Sequence, residues 1–118
     1  MYTLYWYPKC GTCKKAKAWL DSQKVAVETS DMIQNPPSAA QLSKWMTESG
    51  LPIRRFFNTS GMKYRELGLK DRVPNLTQAE ACALLATDGM LIKRPILVKD
   101  GHFLAVGFKE TDYKGAVD

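Results

Sequence analysis

Two cysteines separated by two residues, Cys10 and Cys13, are the side chains of this sequence best suited to chemistry. They follow an aromatic-rich segment that is predicted to be a strand, and the residues after them have helical periodicity. Cysteines at this spacing on a helix start lie on one turn, close enough for their sulfurs to form a disulfide. A strand followed by such a helix is the typical setting of a thiol–disulfide redox motif.

The pKa of each thiol decides what the pair can do, because the thiolate is the nucleophile. A helix N-terminus supplies partial positive charge and N–H donors. Four lysines are near in sequence: Lys9, Lys14, Lys15 and Lys17. The first 30 residues hold five lysines and two acidic residues, so they carry +3 of the net charge of +5. We expect Cys10, at the loop tip, to have a lowered pKa and to attack, and Cys13, on an apolar stripe with Ala16 and Leu20, to resolve the mixed disulfide.

A zinc half-site and an inert pair are the alternative interpretations of the two cysteines. Zinc would need two further ligands. The remaining candidates, Cys82 and His102, lie in a predicted helix and beside a predicted hairpin turn, without the spacing of a ligand pair. We therefore predict no metal site. Cys82 is expected to be a buried core cysteine, and His102 a solvated loop residue.

Periodicity and turn signals predict the elements that must position the pair. Two capping boxes, Ser38 with Gln41 and Thr77 with Glu80, indicate helices in the middle of the chain. The predicted elements are a strand over Tyr2–Tyr7, a helix over Cys10–Gln23, a strand over Val25–Thr29, helices opening at Ser38, Pro52, Tyr64 and Thr77 (the last ending at Gly89), a hairpin over Ile96–Val106 with an Asp-Gly turn, and a helix over Glu110–Ala116.

The resulting order is β-α-β-α, a helical middle, then β-β-α. This order predicts an α/β fold in which a mixed β-sheet is flanked by helices. Apart from the helical middle, it is the order of a thioredoxin-like fold. We therefore expect residues 1–118 to form a single thioredoxin-like domain with a helical insertion in the middle, a size that suits one domain.

The basic residue and proline before the hairpin, Arg94 and Pro95, are the second candidate group. In a thioredoxin-like fold the proline that leads into this strand should face the cysteine pair, and it is a candidate for a cis bond. Arg94 could then hold an anion or a carboxylate. We predict Arg94 as a catalytic residue beside Cys10 and Cys13, and Gly11, Thr12 and Pro95 as substrate-binding residues.

Composition limits the remaining function classes. The chain is 45% hydrophobic and 25% charged, which is ordinary for a globular protein. It has no apolar run approaching the ~18 residues of a membrane span and no signal-peptide pattern, so we expect a cytoplasmic monomer with reduced cysteines and no membrane contact. Basic residues are spread through the chain without an aromatic-interleaved stripe, which argues against nucleic acid as a partner.

Four separated motifs give the chain a family resemblance. They are Tyr7-Pro8-Lys9-Cys10-Gly11-Thr12-Cys13-Lys14-Lys15-Ala16, Phe56-Phe57-Asn58-Thr59-Ser60-Gly61, Tyr64-Arg65-Glu66-Leu67-Gly68-Leu69 and Ile92-Lys93-Arg94-Pro95-Ile96. In this order they resemble the arsenate reductase (ArsC)/Spx family, and most of all its small C-x-x-C members. The resemblance implies a thioredoxin-like core with a helical insertion.

The resemblance implies two further functions besides general thiol chemistry. Glutaredoxin-linked arsenate reductases use one cysteine, which matches Cys10, and three arginines around the oxyanion. Arg94 matches one of these arginines, whereas Asn58 and Gly107 stand at the other two positions. Spx-type regulators carry the C-x-x-C pair as a redox switch and bind the α subunit of RNA polymerase, but the segment over residues 48–55 looks different from theirs.

These observations favour a cytoplasmic thiol–disulfide oxidoreductase or reductase that uses the Cys10/Cys13 pair. Its expected substrate is a thiol or disulfide, on a redox protein or on a small molecule. We expect no bound cofactor, and electrons from glutathione and glutaredoxin or from thioredoxin. The alternatives are a redox-sensing regulator that binds the RNA polymerase α subunit and a glutaredoxin-dependent arsenate reductase.

Overall fold

A computed structural model of the chain describes residues 1–117, which contain one four-stranded sheet and six α-helices. The strands are β1 (Tyr2–Trp6), β2 (Val27–Asp31), β3 (Ile96–Lys99) and β4 (His102–Val106). The helices are α1 (Gly11–Ser22), α2 (Ala39–Ser49), α3 (Met62–Glu66), α4 (Leu69–Arg72), α5 (Gln78–Leu85) and α6 (Glu110–Val117). These residues fall into two compact units, one made of Met1–Met32 with the chain from Arg94 onward, and the other of Ile33–Lys93.

The sheet belongs to the first unit and has the strand order β2-β1-β3-β4. β1 is parallel to β2, because the crossover through α1 returns the chain in the same direction. β1 is antiparallel to β3, and β3 is antiparallel to β4. Tyr5 lies opposite Ile96 in the β1–β3 register. The residues that follow β1 and the residues that precede β3 therefore meet at one edge of the sheet.

Buried side chains from the sheet and from helices α1 and α6 form the core of this unit. Leu4, Leu97 and Ala105 of the sheet pack with Ala16 and Leu20 of α1 and with Tyr113 of α6. Burial of such apolar side chains is the main stabilising contribution to a fold of this kind. The mixed sheet flanked by helices, as predicted, is confirmed.

The second unit is helical, as predicted for the middle of the chain. Both predicted capping boxes are present, at Ser38 for α2 and at Thr77 for α5. The Gln78 side chain of α5 donates hydrogen bonds to the backbone carbonyl and hydroxyl of Ser43 and to the hydroxyl of Thr47, at 3.0, 2.9 and 3.0 Å. These bonds hold the start of α5 against α2.

Several element boundaries differ from the prediction, and two of the differences have a clear physical cause. β2 begins at Val27 and not at Val25, because Lys24 takes a left-handed conformation (φ 59°) and the Val25 N–H donates to the Leu20 carbonyl to close the end of α1. α5 ends at Leu85 and not at Gly89. The carboxylate of Asp88 accepts a hydrogen bond from the Met90 N–H and caps a separate short 3₁₀ helix.

None of the helices in residues 1–117 combines the length and the apolar character that crossing a membrane requires. Whether residues 1–118 behave as a single domain depends on whether the two units fold together, and this stays a prediction.

Candidate active site

Cys10 is the N-cap residue of α1, at the edge where the chain leaves β1. Its backbone N–H donates to the Tyr7 carbonyl at 2.9 Å, and its carbonyl accepts the Lys14 N–H at 3.0 Å, the first bond of the helix. Its extended backbone (φ −87°, ψ 123°) is typical of an N-cap. The side chain is half-buried, so its sulfur keeps access to solvent.

Cys13 is fully buried, on the same stripe of α1 as Ala16 and Leu20. Its sulfur accepts a hydrogen bond from the Tyr7 N–H at 3.5 Å. The predicted difference in exposure between the two cysteines is therefore present. Only Cys10 can meet a large substrate without movement of the helix.

The two thiols are perturbed in opposite directions. Burial raises the pKa of Cys10, but the backbone N–H and thiol of Cys13 and the Arg94 guanidinium more than offset it, so the net pKa is below the ordinary value. Burial raises the pKa of Cys13 to about 12; the Tyr7 N–H opposes this, and contacts with Cys10 add to it. A thiolate at this site is therefore located on Cys10.

Arg94 and Pro95 enter β3 directly opposite the end of β1. The bond between them is cis, as predicted, and Pro95 is buried. The Arg94 guanidinium carbon lies 5.7 Å from the centroid of the Tyr7 ring, within cation–π range. This stacking directs the charged group toward the start of α1, where it interacts with the Cys10 sulfur.

Gly11 and Thr12 are exposed in the first turn of α1. A Cβ atom added to Gly11 would meet nothing within 4 Å, so the fold itself does not require glycine at this position. The position leaves open space beside Cys10. A substrate-binding role for Gly11, Thr12 and Pro95 stays a prediction.

The lysines near the pair are not its closest charged neighbours. The largest contributions that lower the pKa of Cys10 come from Cys13 and Arg94. Lys9, Lys14 and Lys15 are exposed, and water screens exposed charges strongly. A contribution of these lysines to the activation of Cys10 stays a prediction.

Cys82 lies where it was expected. It is buried in α5, with its sulfur 3.6 Å from the Met46 sulfur, and burial raises its pKa. His102 is exposed as predicted, but it is the first residue of β4, opposite Lys99, and not a loop residue. Within the described part of the chain, no three His, Cys, Asp or Glu residues lie close enough together to hold a metal ion.

Three residues of the site were missed as functional candidates. Tyr7 contributes its N–H to Cys13 and its ring to Arg94. Gly107, at φ 74°, donates its N–H to the Pro95 carbonyl at 2.8 Å, and its own carbonyl accepts the buried Tyr113 hydroxyl at 2.9 Å. Tyr7 is the first residue of the first motif, and Gly107 stands at one of the arginine positions of the resemblance, but periodicity does not report the contacts that these residues and Tyr113 make.

The chain is similar to known proteins over nearly its whole length. A model of the ArsC family matches residues 5–116. Uncharacterized protein YusI of Bacillus subtilis (strain 168) is 50% identical over 112 residues, covering 95% of this chain and 94% of that protein. Global transcriptional regulator Spx 1 of Lactococcus lactis subsp. lactis (strain IL1403) is 30% identical over 114 residues, covering 97% of this chain and 87% of that protein.

Similarity to solved structures agrees with these matches. The crystal structure of a possible arsenate reductase from Streptococcus mutans UA159 superposes with a TM-score of 0.90 at 48% identity, covering 97% of this chain and 98% of that chain. The family match spans nearly all of the residues that build the sheet and the cysteine pair. The chain belongs to the ArsC family.

Proposed function

We propose that this protein is a thiol–disulfide oxidoreductase that reduces a disulfide or an oxidised thiol substrate with the Cys10/Cys13 pair. The observation that carries the proposal is the opposite perturbation of the two thiols. Cys10 is accessible with a lowered pKa, whereas Cys13 is buried with a pKa raised to about 12. This division of properties suits one attacking and one resolving cysteine.

In the first step the Cys10 thiolate attacks one sulfur of the substrate disulfide. A bond forms between Cys10 and that sulfur, the substrate disulfide bond breaks, and the other substrate sulfur leaves as a thiolate. Before the attack, Arg94 and the Cys13 N–H stabilise the negative charge on Cys10. Arg94 is then free to hold an anionic group of the substrate close to the reacting sulfurs.

The second step follows from the causes of the high Cys13 pKa. Two contributions come from Cys10, through a hydrogen bond and through its charge, and both are lost once Cys10 is part of a neutral mixed disulfide. The contributions from the Tyr7 N–H and from Arg94, which lower the pKa, remain. Cys13 therefore becomes more acidic only after the adduct forms. Cys13 loses its proton to water and its thiolate attacks the Cys10 sulfur. The Cys10–Cys13 bond forms, the bond between Cys10 and the substrate sulfur breaks, and that sulfur leaves as a thiolate.

The cycle oxidises the two protein thiols to one disulfide and reduces the substrate disulfide to two thiols. An external thiol reductant must then reduce the Cys10–Cys13 disulfide. We propose glutathione with glutaredoxin, or thioredoxin, as this donor, without a bound cofactor. A reducing compartment such as the cytoplasm suits this requirement.

The proposal is tested by trapping the intermediate. Cys13→Ser is incubated with glutathione disulfide, and intact-protein mass spectrometry is expected to show one glutathione on Cys10 that persists. Wild-type protein is expected to release this adduct and form its internal disulfide, and Cys10→Ser is the matched control that forms none. If Cys13→Ser gives no adduct, or wild-type protein keeps it, the assigned roles of the two cysteines are wrong.

A redox-switched regulator is the second candidate, favoured by the similarity to Spx 1 over 97% of this chain. In this function formation of the same disulfide would change the affinity for the RNA polymerase α subunit, and the protein would have no catalytic turnover of its own. A pull-down with the α C-terminal domain, comparing reduced protein, oxidised protein and Cys10→Ser, separates the two functions. Retention in only one redox state, together with no reductase turnover, would favour the regulator.

Arsenate reduction is the third candidate, favoured by Arg94 beside Cys10 and by the 48% identity to a possible arsenate reductase. Of the three arginine positions implied by the resemblance, only Arg94 is occupied by arginine. Gly107 has φ 74°, a backbone conformation that an arginine would adopt only with strain. A steady-state assay with arsenate, glutaredoxin and glutathione decides this candidate, and activity abolished by Arg94→Ala would support it.

A further inference from the structure

The second unit contains a cavity of about 450 Å³ whose lining includes four cations, Arg54, Arg55, Lys70 and Lys93. This volume lies within the range of small-molecule sites, about 300–1,000 Å³. Among residues 1–117, none of the four side chains has a carboxylate within ion-pair distance. The four cations share one cavity, so its lining is complementary to an anion, although water screens the exposed side chains of Arg54, Arg55 and Lys70 in the absence of a ligand.

The backbone fixes the position of these cations. Arg54 and Arg55 lie in a 3₁₀ helix, Ile53–Phe56. The Lys93 N–H donates to the Phe56 carbonyl at 2.9 Å, and Phe57 forms a β-bridge with Ile92. These bonds hold Lys93 beside the arginine pair although the segments are distant in sequence. The backbone of the site is therefore set by tertiary structure before any ligand arrives, which lowers part of the entropic cost of binding.

The aromatic wall of the cavity is rigid as well. The rings of Phe57 and Tyr64 meet edge to face with centroids 6.2 Å apart, and both side chains are buried. Lys70 follows on α4, whose start is set by Gly68 in the left-handed region (φ 63°). The cavity that the cations line therefore has a packed aromatic base.

A second cavity, of about 490 Å³, shares Arg54, Tyr64 and Lys70 with the first one. Its remaining lining is apolar: Pro52, Ile53, Val73, Pro74 and Leu76. A ligand that occupied both cavities would need a charged group at one end and an apolar body at the other. Arginine guanidinium groups match phosphate oxygens bidentately, and lysines add point charges.

From these observations we infer that the second unit binds a small phosphorylated molecule with an apolar or aromatic body. The phosphate contacts Arg54, Arg55, Lys70 and Lys93, and the body lies in the adjoining apolar cavity. The site is built only from residues of Ile33–Lys93. It is independent of the cysteine pair and of the function proposed for it.

The test is a titration of ¹⁵N-labelled full-length protein, followed by amide chemical shifts, with 1-naphthyl phosphate as the probe. We expect shift changes confined to residues 52–76 and 91–93. 1-Naphthol carries the body without the charge, and inorganic phosphate carries the charge without the body, so each is expected to bind at least about tenfold more weakly. Equal binding of 1-naphthol would overturn the role of the cations, and equal binding of inorganic phosphate would overturn the role of the apolar cavity.

Paired variants distinguish the site from general surface charge. Arg54→Ala/Lys70→Ala removes two exposed cations that line both cavities, and is expected to weaken binding of 1-naphthyl phosphate at least about tenfold. Arg65→Ala/Lys63→Ala removes two exposed cations from α3 outside either lining, and is expected to change the affinity less than about twofold.

Three further results would overturn the inference. The first is an equal loss of affinity in both double variants, and the second is the absence of binding by 1-naphthyl phosphate at millimolar concentration. The third is tighter binding of a poly-glutamate peptide than of 1-naphthyl phosphate, which would assign the surface to an acidic protein partner. Thermal unfolding of each variant verifies that the fold is retained.

Discussion

The opposite pKa shifts of Cys10 and Cys13 give the most demanding prediction. The pKa of Cys13 is about 12, against an ordinary value of 9.0, so near neutral pH its thiolate fraction is about a thousandfold below that of an ordinary thiol. A more basic thiolate is intrinsically more nucleophilic, with a Brønsted coefficient of about 0.4–0.5, which recovers a factor of roughly 16–32. Cys13 is therefore expected to react about 30- to 60-fold more slowly than an ordinary thiol, and a Cys10 pKa lowered toward the assay pH widens its difference from Cys10.

The assay is alkylation by iodoacetamide near neutral pH, quenched at less than about a tenth of full modification so that the site stays native. Tandem mass spectrometry of the peptide that contains both cysteines measures the initial rate at each sulfur. We expect Cys10 to react about 30-fold faster than Cys13, or more. Cys82, buried and with a raised pKa, is the internal control for an inaccessible thiol.

The pH dependence provides an independent check of the same reasoning. The rate at Cys10 should rise as pH passes its pKa and then level off, at a lower pH than for free glutathione measured in parallel. Comparable rates at Cys10 and Cys13, within about threefold, would refute the division into attacking and resolving thiols. A Cys10 midpoint at or above that of glutathione would refute the activation of Cys10.

Four further changes test individual contacts. Arg94→Met should raise the pKa of Cys10, measured by thiolate ultraviolet absorbance, because the guanidinium lowers it; Arg94→Lys should restore part of the effect. Tyr113→Phe leaves the buried carbonyl of Gly107 without its hydroxyl donor and should cost about 1–3 kcal/mol in urea unfolding. Gly107→Ala should cost about 1–2 kcal/mol, because φ is 74° there, and an unchanged midpoint would contradict this strain. Ser38→Ala removes the N-cap of α2 and should cost about 1 kcal/mol, with Ser38→Asp close to wild type.

The start of β2 shows why the sequence predicted a wrong boundary. Val25 resembles the start of a strand, since an apolar residue begins an alternating run. In the structure Lys24 and Val25 close α1, because the left-handed conformation of Lys24 lets the two N–H groups donate to free carbonyl groups at the helix end. The left-handed residue here is a lysine and not a glycine, so no turn signal marks it.

The surroundings of Cys10 show a similar limit of local sequence. The lysines are near the pair along the chain, but exposed lysines are screened by water. Arg94, stacked on the Tyr7 ring, is the cation with the largest effect on the pKa of Cys10. Proximity along the chain does not give the relative size of these contributions.

Local sequence was enough to predict the features that a few adjacent residues encode. These are the cysteine pair at a helix start, the caps at Ser38 and Thr77, and the Asp-Gly hairpin, since a few adjacent residues encode each of them. The groups that surround the Cys10 and Cys13 sulfurs depend on tertiary structure. Antiparallel pairing of β1 with β3 brings Arg94 beside Cys10, and burial of α1 against the sheet sets the pKa of Cys13. Solvent exclusion and contacts between distant segments exist only once the sheet has formed, so the chemistry of the pair depends on the fold.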